Sequence, residues 1–122
     1  MKTIFVLLCA FAFFGNVTAQ DLNTLRKKHF NVEESIALQG YDPVTYFTGA
    51  SPKKGSAAHM FNYGNVIYHF SSQTNLDAFK VNPAKYEPQY GGWCAYAMGN
   101  SGEKVEVDPK TFKIINGKLY LF

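Results

Sequence analysis

Apolar and polar positions alternate most clearly where Val66, Tyr68 and Phe70 interleave with Ile67 and His69. That period of two predicts a half-buried strand with His69 on the face of Ile67, where a histidine is more often a packed, hydrogen-bonded core residue than a ligand. Ala58 to Asn62 precedes it across Tyr63-Gly64-Asn65, which predicts a hairpin with a three-residue loop. A second hairpin is predicted where Phe112-Lys113-Ile114-Ile115 meets Lys118-Leu119-Tyr120-Leu121-Phe122 across Asn116-Gly117, a pair that tolerates the positive φ angles of a two-residue turn. Ile36-Ala37-Leu38 and Val105 to Val107 are shorter strand candidates.

Helical signals are fewer. Leu76 and Phe79, three apart, place one buried stripe on a helix that Ser71-Ser72 can cap. Asn82-Pro83 ends it and opens a second short turn, since proline is tolerated at the first helical position. Trp93 to Met98 follows Pro88 and Gly91-Gly92 and reads as a short helix or tight turn. Gln20 to Glu34 is weakly amphipathic, with Leu22 and Leu25 ahead of Arg26-Lys27-Lys28-His29. It is expected to be a mobile or loosely packed lead-in with a solvated charged face and an exposed His29. Gly40 and Asp42-Pro43 mark turns, as do Asp108-Pro109, and Thr48 to Ser56 and Gly99 to Lys104 read as loops. Asp42 has two readings: a turn-forming carboxylate that accepts nearby backbone N–H groups, or a side chain aimed into a site shared with the Cys94 segment. The pattern as a whole predicts a small single α+β domain of short antiparallel strands and hairpins with two or three short helices.

The first residues change the setting. Met1-Lys2, the uncharged apolar run Ile4 to Phe14 and the small-residue site Val17-Thr18-Ala19 read as a secretory signal peptide over residues 1–19. The apolar run is short for a bilayer span of roughly 20 residues, so no stable membrane anchor is expected. Cys9 lacks the small residue that a lipoprotein site would place before it. Export to the periplasm or the medium follows, with a lead-in over 20–35 and a domain over 36–122. Phe122 ends the chain inside an apolar strand without a polar tail, which predicts a missing C-terminal element that would cover the sheet. Removing the leader takes Lys2 with it and leaves a net charge of about +2 with scattered basic residues, so nucleic acid is not an expected partner. Only Cys94 survives cleavage, so no internal disulfide can form. A leftover thiol of this kind is a metal ligand, a reactive group, an intermolecular bridge or a buried small hydrophobe.

Three stretches in order, Gly40-Tyr41-Asp42-Pro43-Val44-Thr45-Tyr46-Phe47, Asn82 through Tyr90-Gly91-Gly92-Trp93-Cys94-Ala95, and Asp108-Pro109 followed by Gly117-Lys118-Leu119-Tyr120-Leu121, make the chain resemble an exported YHS domain from about Ile36 to Phe122. The resemblance implies the fold. Cysteine-rich relatives bind heavy metals through an Asp-Pro-Val-Cys opening and a Tyr-x-Phe-Cys-Ser-x-x-Cys-x-x-x-Phe stretch. These align on Asp42 to Thr45 and on Tyr68 to Phe79, with Thr45, Ser71 and Asn75 at the cysteine positions. Hydroxyl and amide oxygens are poor ligands for soft metals, so that site is not carried over.

Three functional classes stay open. Cys94, His69, His59, Met98 and Met60 are donors of the kind copper takes, through thiolate, imidazole and thioether, though none has diagnostic spacing. A thiol enzyme would need Cys94 as nucleophile, His69 or His59 as base and Asp42 as orienter. A non-catalytic ligand or protein-interaction module would use the aromatic residues Tyr86, Tyr90, Trp93 and Tyr96, which are otherwise core. The leading expectation is a non-catalytic protein that binds a metal ion, copper first, or a small molecule.

Overall fold

The computed structural model describes Gly15 and residues 18–122. The predicted leader lies outside these residues, apart from Gly15, Thr18 and Ala19.

Strand β4 (Val66–Phe70) organises the main sheet: Val66, Tyr68 and Phe70 are fully buried, and Ile67 and His69 are half-buried on the opposite face. Strand β3 (Ser56–Tyr63) pairs antiparallel with it, setting Met60 opposite His69 and Phe61 opposite Tyr68. The turn is shorter than predicted. Tyr63 pairs directly with Val66, leaving Gly64 and Asn65 as a two-residue turn at φ +55 and +67, the left-handed geometry that matches strand twist. On the other side β2 (Ile36–Ala37) runs parallel to β4, and β1 (Val32–Glu33) pairs antiparallel with β2, giving the order β1-β2-β4-β3. Strand β1 thus brings the predicted lead-in into the sheet.

One face of this sheet carries the core. Helix α2 (Gln73–Val81) starts at Ser72, whose side chain accepts from the Asn75 N–H, and buries Leu76 and Phe79 as the spacing predicts. Helix α3 (Pro83–Tyr86) begins at the expected proline. The terminal hairpin has the predicted form, with β5 (Phe112–Ile115) and β6 (Lys118–Leu121) joined by Asn116 and Gly117 at φ +52 and +74. Leu119 and Leu121 of β6 enter the same core. Helix α4 (Ala95–Asn100) extends into the predicted polar loop. Val105 to Val107 forms no strand; Val105 instead accepts the Cys94 N–H through its carbonyl at 2.9 Å. Among the described residues, four α-helices and two sheets of short strands make this a small single-domain α+β protein.

The lead-in is ordered by polar contacts. Helix α1 (Ala19–His29) buries no residue, and its apolar side chains Leu22 and Leu25 are about half exposed. It is fastened through Arg26, whose guanidinium forms a two-point ion pair with Glu87 at 3.2 and 2.7 Å and donates to the Tyr63 and Gly64 carbonyls. The same group lies over the rings of Phe30 and Tyr63. Gly64 is required for this approach, because a Cβ there would stand 2.5 Å from Arg26 Nε. The helix N-cap is Thr18, in a reciprocal pair with Asp21. His29 is exposed, as expected.

Tyr68 donates its hydroxyl to Glu87 Oε2 at 2.6 Å. Burial raises its pKa well above the ordinary tyrosine value, and the negative Glu87 raises it further. Burial likewise raises Tyr46, which donates to the Pro109 carbonyl at 2.6 Å. Both groups therefore hold their protons more tightly folded than unfolded. Their stabilisation is fully present below about pH 10, the ordinary tyrosine pKa, and is lost above it at about 1.4 kcal/mol per pH unit for each. In an alkaline titration, the phenolate absorbance of these two residues is expected to appear only as the folded circular-dichroism signal disappears. Ionisation of all eight tyrosines in a still-folded protein would contradict this.

Candidate functional site

Between Glu34 and Gly40 the backbone is unusually strained. Glu34, Ser35, Leu38 and Gln39 all adopt positive φ, at +50, +70, +57 and +52, and Gly40 follows at +82. Such conformations cost non-glycine residues on the order of 1 kcal/mol or more each and persist only where the surroundings enforce them. Here the enforcement is visible. Ser35 and Gly40 carbonyls accept the N–H groups of Ile67 and Gly55 at 2.8 Å, and Leu38 is buried. The predicted strand therefore ends at Ala37, and Leu38 begins a tight turn.

The contorted segment forms the wall shared by two adjoining cavities. The first, about 250 Å³, has an apolar floor of Val32, Ile36, Leu38, Val107 and Leu121 and a polar rim of Asn31, Glu33, Gln39 and Glu106. Gly92 closes one end. Its φ of +88 is a conformation that residues with side chains rarely adopt, and a Cβ there would touch the Pro88 ring at 3.4 Å. Asn31 braces this end, donating its side-chain amide to the Gly92 carbonyl at 3.2 Å and to Glu106 at 3.3 Å. The second cavity, about 380 Å³ and more open, shares Glu33, Ile36 and Gln39 and adds Glu34, Gly40, Lys54 and His69. One cleft thus runs from the Gly91-Gly92-Trp93 stretch to the Gly40-Tyr41-Asp42 stretch.

Asp42 does not face this cleft or the Cys94 segment. It is fully buried, and its carboxylate is saturated: Oδ1 accepts the Val44 N–H at 2.9 Å, and Oδ2 accepts Ser71 N, Ser71 Oγ and Asn75 Nδ2, each at 2.8 Å. Thr45 donates its hydroxyl to the Asp42 carbonyl at 2.7 Å. The turn-forming role is the one observed, and the shared-site role is corrected. Thr45, Ser71 and Asn75 therefore all bond to Asp42, Ser71 and Asn75 at its carboxylate and Thr45 at its backbone carbonyl, although 26 residues or more of chain separate Thr45 from the other two.

The four aromatic candidates separate. Tyr86 packs edge-on to Phe47 and beside Phe79, so it belongs with the core. Trp93 is half-buried, donates its indole N–H to the His29 carbonyl at 2.7 Å and lies under Lys104, which ties α1 to the segment following Gly92. Tyr90, at φ +55 and about half exposed, leans on Tyr120. Tyr96 is mostly exposed on α4. No single aromatic groove forms from them.

The soft donors separate as well. Met60 pairs with His69, so these two share the outer face of the sheet, and strand alternation puts His59 on the inner face with Phe61. His59 Nδ1 is buried with no hydrogen-bond partner among the described residues. Cys94 precedes α4 as its N-cap and Met98 lies one turn on, its N–H bonded to the Cys94 carbonyl. Among the described residues, no group of three or more His, Cys, Asp or Glu side chains is placed to hold a metal ion. The copper set Cys94, His69, His59 and Met98 is therefore not assembled, and the Asp42 cluster is filled by its own donors. The postulated Cys94–His–Asp42 catalytic set is also unassembled, because Asp42 is bound to Ser71 and Asn75.

His69 shares the half-buried outer face with Ile67, as the alternation predicts, and lines the cleft there instead of packing as a core residue. Glu33, Glu34, Gln39, Lys54 and Glu106 were not singled out from the sequence. Glu33 and Glu34 fall in the lead-in, Lys54 in the loop before β3 and Glu106 in the short strand candidate Val105 to Val107, where no local pattern marks a site. No protein-family model matches this chain, and neither a curated protein nor a solved structure matches it. Among the described residues no helix is long and apolar enough to cross a membrane.

Proposed function

We propose that this is an exported, non-catalytic YHS-type domain that binds a small molecule in the cleft between its Gly40 and Gly92 stretches. The observation that carries the proposal is the cleft itself: an apolar floor, a few convergent polar groups, and a wall of strained backbone held in place by the sheet. Small-molecule sites have this composition, and strained backbone concentrates at binding sites. The YHS assignment draws support from Thr45, Ser71 and Asn75 meeting on Asp42, since these are the positions where the metal-binding relatives carry cysteine. In this chain those positions hold a hydrogen-bonded knot, and the binding role moves to the neighbouring cleft. Copper binding is the less favoured reading, because its donors lie on different elements and opposite sheet faces.

Trp93, the only tryptophan, follows Gly92 directly and reports on that end of the cleft. Titration with a fragment set of mixed charge is expected to change Trp93 emission saturably for some members. Elemental analysis of protein from copper- and zinc-supplemented culture is expected to give no stoichiometric metal. Stoichiometric metal that disappears in Cys94→Ala would reverse the preference and establish the metal reading.

A further inference from the structure

The second cavity carries groups of both signs that form no ion pair with each other. Glu33 and Glu34 line it together with Lys54 and His69. Among the described residues the only ion pair is Arg26 with Glu87, so neither carboxylate is paired with Lys54. The cationic side is held in place. Lys54 pairs with Tyr41 in an isolated bridge and lies over the Tyr41 ring at 5.2 Å. Lys54 Cε and His69 Nδ1 both come within 4 Å of the same point beside Gly40. The acidic side is held by the strained turn at Glu34 and Ser35, pinned to Ile67. Ile36 lies in the wall shared with the apolar first cavity.

We infer that the cleft's ligand is a small zwitterion with an apolar body, of amino-acid size. This rests on the small-ligand reading above and names its ligand class. The ammonium group faces Glu33 and Glu34, the carboxylate faces Lys54 and His69, and the hydrocarbon chain enters the first cavity along Ile36 and Val32. A ligand of one sign would satisfy one wall and be repelled by the other, whereas a zwitterion complements both. The charges line an open cleft, so each contributes modestly.

The test compares norvaline with butylamine and valerate, which keep the chain and remove one charge each, followed by backbone amide shifts in NMR. Norvaline is expected to shift Gln39, Gly40, Lys54 and His69 saturably. Butylamine and valerate are expected to bind about fivefold weaker or less, and norvaline is expected to lose a similar factor in Glu33→Gln/Glu34→Gln and in Lys54→Met. Unchanged β5 and β6 amides establish that the variants are folded. Equal binding of butylamine or of valerate would overturn the zwitterion assignment and leave the small-ligand reading standing. So would neutral amide or alcohol fragments that shift these residues where norvaline does not. If no fragment of any charge shifts them, both readings fall.

Discussion

Asp42→Ala is expected to destabilise the fold by about 3–5 kcal/mol, a large part of the roughly 5–15 kcal/mol typical of a domain. The carboxylate is fully buried and accepts four hydrogen bonds, from the Val44 and Ser71 backbone, the Ser71 hydroxyl and the Asn75 amide. Hydrogen bonds to a charged group are worth more than neutral ones, and donors left buried without an acceptor carry a desolvation cost. The substitution therefore removes the acceptor that joins the turn after Tyr41 to the end of β4 and the first turn of α2. Asp42→Asn keeps the shape but turns an NH₂ group toward N–H or O–H donors, so its loss is expected to be intermediate. Urea unfolding checks both. A loss below about 1 kcal/mol for Asp42→Ala would mean that solvent replaces the carboxylate, contrary to its complete burial.

Phe79→Ala is expected to cost a similar amount, about 3–5 kcal/mol, for a different reason. Phe79 is fully buried on α2, and five aromatic rings surround it: Phe61 at 6.2 Å, Tyr63 at 6.2 Å, Tyr68 at 4.7 Å, Phe70 at 5.3 Å and Tyr86 at 6.3 Å between centroids. These rings come from β3, β4 and α3, so removing the central one leaves a cavity that no single element can move to fill. Close packing makes such gaps expensive. The unfolding midpoint in urea is expected to fall with little change in slope, because the surface exposed on unfolding hardly alters. A drop of less than about 1.5 kcal/mol would mean that the core collapses around the gap. Phe79→Leu, which fills part of the space, is expected to recover part of the loss.

The two substitutions act on elements that differ in how visible they were in the sequence. Phe79 was legible because the Leu76–Phe79 spacing and the Ser72 cap are local signals, and helical geometry converts three-residue spacing into one buried face. Asp42 was legible as a turn residue for the same reason: the contact to Val44 is two residues away. Its bonds to Ser71 and Asn75 span 29 and 33 residues, and no local pattern reports contacts of that range. Arg26 shows the same limit. It sat in a charge run that reads as a solvated face, yet its pairing with Glu87 across 61 residues turns a presumed loose lead-in into a fastened helix.

The candidate site was the least legible part. Its walls come from β1, the turn around Gly40, Lys54 before β3, His69 of β4, and the segment around Glu106. Each contributes one or two unremarkable polar side chains, and their meaning lies in being adjacent. The residues chosen from the sequence for their chemistry, Cys94, His59, His69 and Met98, were dispersed by strand alternation and by placement on separate elements. By itself the sequence determined the α+β class, the main hairpins, α2 and the turn at Asp42, because periodicity, caps and turn residues act over a few positions along the chain. Only the tertiary structure decided that Ser71 and Asn75 share the Asp42 carboxylate, that α1 is tied down by Arg26, and that charges of opposite sign face one cleft. Those facts depend on long-range packing, which brings distant segments together and which no short window of sequence contains.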